Sequence, residues 1–216
     1  MNKVHRVVVT GLGSVNPLGL TAKSSFKALL EGKVAIQKLP NSEGFKSRIG
    51  GMIPEGFEME KYETSMGKSL LHSVANCMTQ EALSDAGVLD PNSDHIIDRD
   101  HFGISLATVV GEEIDRQNPD PSKRDFFRTY KFSLPSVLAY QHQLRGSQDI
   151  SQQACAAGLF GIGQAFRLVK HGYLTAAVGG GVDINLYSRV HAFLDKLNAT
   201  NVNCNDTPQT AVKPFD

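Results

Sequence analysis

The residue types able to do covalent chemistry converge on one thiol. Cys155 lies between a short strand-like run and a stretch of small and apolar residues, the sequence SQQACAAGLFGIGQAFRLVK over 151–170. A thiol in the first turn of a helix faces unpaired backbone N–H groups and the positive end of the helix dipole, which favour the thiolate and make it a nucleophile. On the residues alone, a buried structural cysteine in a tightly packed helix is the competing reading. Leu159, Ile162, Ala165, Phe166 and Val169 then recur at helical spacing, and His171-Gly172 supplies a stop. The spacing predicts a helix at least half buried. Gly158, Gly161 and Gly163 each cost about 1 kcal/mol relative to Ala in a helix interior, so their clustering predicts a very close neighbour, a second backbone or an acyl chain.

Other motifs carry less. Gly11-Leu12-Gly13 follows a valine-rich run, but the third glycine of a dinucleotide fingerprint is missing and Pro17 stands where its helix should be running, so the turn reads as structural. GxxxxGK[ST], HExxH and GxSxG are absent. Seven histidines, His5, His72, His95, His101, His142, His171 and His191, are scattered and read as surface or packing residues. No Cys/His spacing suggests zinc, so no metal is expected.

The elements that must position the thiol alternate between strand-like and helix-like, which predicts an α/β layered domain. Arg6 to Thr10 reads as a buried strand, Ser24 to Glu31 as a helix stopped by Gly32, and Lys68 to Ala86 as an amphipathic helix ended by Gly87. In that last helix Leu71, Val74, Ala75, Met78, Ala82, Leu83 and Ala86 form the apolar set. Phe102 to Val110 and Leu174 to Val178 read as further strands, Gly111 to Arg128 as an exposed excursion, and Leu39 to Glu63 as loop with short elements.

Composition sets the outer limits. The chain has 216 residues, 41% hydrophobic and 20% charged, which suffices for one globular domain spanning 1–216. With 22 basic and 22 acidic residues it carries no electrostatic footprint for nucleic acid or an anionic membrane. Cys77, Cys155 and Cys204 are too few and too scattered for a disulfide framework and suit a reducing cytoplasm. No secretion signal or membrane span is expected, which makes Asn198-Ala-Thr and Asn205-Asp-Thr chance matches to a glycosylation acceptor.

The stretch QACAAGLFGIGQAFRLVKHG resembles the nucleophile region of the beta-ketoacyl-acyl-carrier-protein synthases, condensing enzymes of the thiolase-like superfamily. RVVVTGLGSVNPLG followed by SSFKALLEGKVAI is similar to that family's first strand, glycine turn and first helix. TAAVGGGVDINL resembles its glycine-rich strand, and NDTPQTAVKPFD the loop in which its N-terminal half ends. The motifs occur in family order from Val4 to Asp216. The resemblance implies a thiolase-like layered α/β/α half-domain with a mixed sheet, and the C-terminal half of the family is absent from this sequence.

Function follows from the resemblance alone. Cys155 would take an acyl group from the phosphopantetheine arm of an acyl carrier protein, for decarboxylative condensation with malonyl-carrier in fatty acid or polyketide synthesis. Its backbone N–H would form one arm of an oxyanion hole. No cofactor is implied beyond that carrier-borne arm. Val110 falls at the family's gate to the acyl pocket. In the family the decarboxylating histidines and a lysine come from the other half, which leaves a catalytically silent relative, a carrier-binding or subunit-pairing module, as the alternative. The expected partners are the acyl carrier protein and either a second copy, as a homodimer, or a complementary C-terminal half. Two departures stand out. Ser151-Gln152-Gln153 replaces an apolar residue and small ones, placing two amides that need partners if buried. Between Leu134 and Gly146 the chain is shorter than the family pattern by roughly two helical turns.

Overall fold

The computed structural model describes residues 4–65, 69–89, 98–111, 133–186 and 188–213. In chain order the elements are α1 (Ala22–Leu30), β1 (Ile36–Lys38), β2 (Ile49–Gly51), α2 (Leu70–Asp85), β3 (Phe102–Ala107), α3 (Ser133–Gln141), β4 (Gln148–Ser151), α4 (Ala157–Lys170), β5 (Ala176–Gly179) and α5 (Arg189–Lys196). Of the excursion expected over Gly111 to Arg128 only Gly111 is described, and the rest lies outside the described residues.

Two compact units emerge, one of Met1–Gly13 with Glu58–Ile184 and one of Ser14–Phe57 with Asn185–Asp216. The first is built on a parallel sheet of order β4-β3-β5, with Ile104 opposite Gln148 on one side and Val178 on the other. Its central strand β3 is buried at all six positions. A strand sealed on both faces reads as a near-continuous apolar run, and this is why Phe102 onward is visible in the sequence. Phe102, Ile104 and Leu106 join Ala75 and Leu83 of α2 and Leu134, Leu138 and Ala139 of α3 in one core. α4 lies against β3 and β5 where Gly161 meets the carbonyls of Gly180 and Ser105. Helices above and below a parallel sheet form the expected α/β/α layering.

α2 is more deeply embedded than an amphipathic stripe requires. His72, Ser73, Asn76 and Thr79 are buried with the apolar set. His72 and Asn76 have partners: Ser69 Oγ lies 2.8 Å from His72 Nδ1, Ser133 Oγ lies 3.3 Å from His72 Nε2, and Asn76 Oδ1 lies 2.7 Å from His142 Nε2, whereas the Ser73 hydroxyl is buried without one among the described residues. Gly11 and Gly13 explain the remaining face. A Cβ on either would enter the backbone carbonyls of Ala82 or Met78, so the turn serves close packing on α2, with Leu12 N–H donating to Asp85 Oδ2 at 2.9 Å.

The strand expected over Arg6 to Thr10 does not form. Val8 and Val9 are exposed and residues 4–10 pair with no strand among the described residues, although His5 N–H donates to Lys170 O at 2.8 Å. Valine content alone cannot make a strand, because a strand exists only through a ladder with a neighbour.

The second unit joins α1, the antiparallel pair β1–β2 and α5. Thr21 and Ser24 make a reciprocal capping box at the start of α1. Asp195, buried on α5, accepts from Lys46 N–H at 2.8 Å, Ser47 N–H at 3.3 Å and Thr200 Oγ1 at 2.6 Å. Beside it His191 stacks on Phe45 with ring centroids 4.3 Å apart.

Candidate active site

Three loops leave the C-terminal edge of the parallel sheet, and ligands of open α/β sheets bind outside that edge. Ser151 ends β4 opposite Ala107 at the end of β3. From Ser151 the chain needs four residues to reach Cys155. Ala154, just before it, is left-handed at φ 47°, a conformation that costs an L residue about 1–2 kcal/mol. A single turn of 3-10 helix over Ala154–Ala156 follows, and Ala156 opens α4. Cys155 therefore stands in the tight turn leading into α4 rather than in the helix's own first turn, and it is exposed.

The two amides ahead of it create no burial problem. Gln152 and Gln153 are exposed, and Ser151 Oγ donates to Gln153 Oε1. Cys155 is also unlike the other thiols. Cys77 is buried on α2, where burial above all pushes its thiol pKa up, against a lowering hydrogen bond from Tyr62. Cys204 is half-buried and receives Asn201 Nδ2 at 3.5 Å from Sγ.

Of the three glycines on α4, only Gly161 is required by a neighbour. A Cβ there would lie 2.6 Å from Gly180 O, whereas Gly158 faces open space and Gly163 meets only Arg167 Nη2 at 3.9 Å. The close neighbour is thus a second backbone, the glycine run after β5. From that side a Cβ on Gly179 would lie 2.8 Å from Ala165 Cβ, and one on Gly181 would lie 3.2 Å from Gly158 Cα. α4 is buried on this face alone, at Ala157, Gly161 and Ala165. Leu159, Ile162 and Phe166 of the expected apolar stripe are 74%, 52% and 44% exposed.

Val110 lies three residues beyond the end of β3, partly buried, on the same sheet edge as Cys155. Asp183, four residues beyond the end of β5, reaches across to this loop. Its Oδ1 accepts from Thr108 Oγ1 at 3.0 Å and from Val110 N–H at 3.1 Å, and its Oδ2 accepts from Val109 N–H at 2.9 Å. Thr108 Oγ1 in turn accepts from Gly111 N–H at 3.0 Å. Sequence reading missed Asp183 and Thr108. Asp183 falls inside TAAVGGGVDINL, but a contact 73–75 residues away leaves no local periodicity to read.

The histidines are spread through the structure rather than gathered at the thiol. His72 and His191 are buried in packing, His142 is hydrogen bonded to Asn76, His101 pairs with Asp98 at 2.6 Å, and His95 lies outside the described residues. Among the described residues no group of three or more His, Cys, Asp or Glu could hold a metal ion, and no helix is long and apolar enough to cross a membrane.

The family model described as the beta-ketoacyl synthase N-terminal domain matches residues 4–216. The chain is 28% identical over 99% of its length to a putative mitochondrial 3-oxoacyl-[acyl-carrier-protein] synthase of Schizosaccharomyces pombe. It is 29% identical over 98% of its length to 3-oxoacyl-[acyl-carrier-protein] synthase 2 of Vibrio cholerae. It spans 54% and 53% of these two relatives. A crystal structure of a beta-ketoacyl synthase from Burkholderia phymatum superposes with a TM-score of 0.81 at 25% identity, covering 100% of this chain and 55% of that one.

Proposed function

Because the chain belongs to the beta-ketoacyl synthase family, through that family's N-terminal domain, we propose that Cys155 is an acyl-accepting nucleophile. The Cys155 thiolate attacks the carbonyl carbon of an acyl thioester on the phosphopantetheine arm of an acyl carrier protein. A bond from Sγ to that carbon forms, the bond to the carrier sulfur breaks, and the released carrier thiolate takes up a proton. The backbone N–H of Cys155 serves as one donor to the developing oxyanion. Val110 lines the path of the acyl chain. The full condensation with malonyl-carrier, in fatty acid or polyketide synthesis, belongs to the same reading, with the decarboxylating residues supplied by the family's second half.

One observation carries this. The exposed thiol of the chain sits at the C-terminal edge of a parallel sheet, in a strained turn between β4 and α4, inside the stretch that matches the family. The partners follow from what is left uncovered. β4 is an edge strand, which suits pairing across a two-fold axis with a second copy, and the exposed Leu159, Ile162 and Phe166 on α4 suit a complementary half.

The test is acylation of the full chain with octanoyl-N-acetylcysteamine, read by intact mass and peptide mapping. A single adduct on Cys155, absent from Cys155→Ala and blocked by prior iodoacetamide, is expected. Equal modification of Cys77, Cys155 and Cys204, or an adduct that survives in Cys155→Ala, refutes the assignment.

A further inference from the structure

We infer that Asp183 is a positioning residue that fixes Val110 and thereby sets the length of acyl group the site accepts. The inference rests on the proposed acyl transfer to Cys155. An exposed carboxylate would ordinarily stay with water, yet this one gives both oxygens to three successive residues of the β3 loop: the Thr108 hydroxyl and the Val109 and Val110 N–H groups. Hydrogen bonds to an ionised acceptor are shorter and stronger than neutral ones, and consecutive N–H groups converging on one anion define a single loop conformation.

Position gives this its meaning. β3 is the central strand, flanked by β4, which leads to Cys155, and by β5, which leads to Asp183. Thr108 is fully buried and relays the restraint to Gly111 N–H. The carboxylate therefore ties the outer strand's loop to the central strand's loop. Val110, the one residue of this loop assigned to the acyl path, cannot shift without breaking a bond to Asp183.

Asp183→Asn is the informative variant, since it keeps the size of the side chain. Its amide NH2 must face an N–H or the Thr108 hydroxyl where a carboxylate oxygen accepted. The expected result has two parts. The Val109 and Val110 amides exchange about tenfold faster or more, as for a lost charge-assisted bond in a locally opening loop. Discrimination among butanoyl, octanoyl and dodecanoyl thioesters of N-acetylcysteamine in transfer to Cys155 flattens. Val110→Ala should change the same length profile with Asp183 intact. A variant that slows all three acyl groups by one factor, or leaves the exchange of Val109 and Val110 unchanged, overturns the inference. Failure of the unsubstituted chain to take any acyl group is a separate result: it sinks the proposed function and with it the selection role, whatever the exchange rates report about the loop.

Discussion

Replacing Gly161 by Ala sets two forces of known sign against each other. Ala is the better helix former by about 1 kcal/mol, so a helix with room would gain from the change. Gly161 has none: the added Cβ would lie 2.6 Å from Gly180 O and 3.3 Å from the Leu106 carbonyl carbon, both backbone atoms that cannot rotate away. Restoring an ordinary C···O separation of about 3.3 Å requires α4 to lift by about 0.7 Å. A radial gap of that size forfeits roughly a quarter to a half of each dispersion well along the helix–sheet contact. Overpacking of this kind costs about 3 kcal/mol, which leaves a net loss of about 2 kcal/mol after the propensity gain. For a chain of this length the melting temperature should fall by roughly 4–8 °C, read by circular dichroism. Gly163→Ala is the control, because its Cβ meets only the end of Arg167 at 3.9 Å; it should raise the melting temperature by roughly 2–4 °C. If Gly161→Ala melts at or above the parent, or both variants move together, the close packing of α4 on the glycine run is not what this glycine provides.

Asp195→Ala should destabilise by about 3 kcal/mol in urea titration at neutral pH, since Lys46 N–H, Ser47 N–H and Thr200 lose a buried acceptor together. Burial pushes the Asp195 carboxyl up, but the Thr200 hydroxyl and those two N–H groups outweigh it and hold it below the ordinary carboxylate value, so its stabilisation is present above about pH 3.9 and is lost as pH falls below that; the variant should show a shallower acid limb. Burial, aided by Arg99, holds His142 below the ordinary histidine value, so the unfolded chain binds its proton first and stability should fall as pH drops from about 7.5 to about 5.5. His142→Gln should flatten that slope; an unchanged slope would assign it elsewhere.

Legibility in the sequence tracked the range of the cause. β3, α2 and α4 announce themselves through apolar runs or helical spacing, whereas Cys155, read as a thiol in the first turn of its helix, stands exposed in the separate turn that precedes α4. α5 escaped because its amphipathicity is inverted. It buries His191 and Asp195 and leaves Phe193 57% exposed, since the Asp195 carboxylate caps backbone N–H groups some 150 residues earlier. α3 escaped because Pro135 looks like a break, although in a first turn its missing N–H costs nothing. Asp183 was invisible for the reason Asp195 was. A carboxylate serving distant backbone amides looks, in sequence, like any surface acid.

The unit holding α1 and the β1–β2 pair is written in two instalments, residues 14–57 and 185–216, with the whole of 58–184 between them. A ribosome releases the first instalment long before the second exists. Lys46, Ser47 and Arg48 must therefore wait for Asp195, Asn201 and Asn205, 148–157 residues later, before their groups are satisfied. The sheet bearing Cys155 can assemble during that interval, whereas Phe45 stays wet until His191 arrives to cover it. During synthesis, then, this chain carries a half-finished unit for most of its length, and a chaperone meeting it would find Phe45 uncovered.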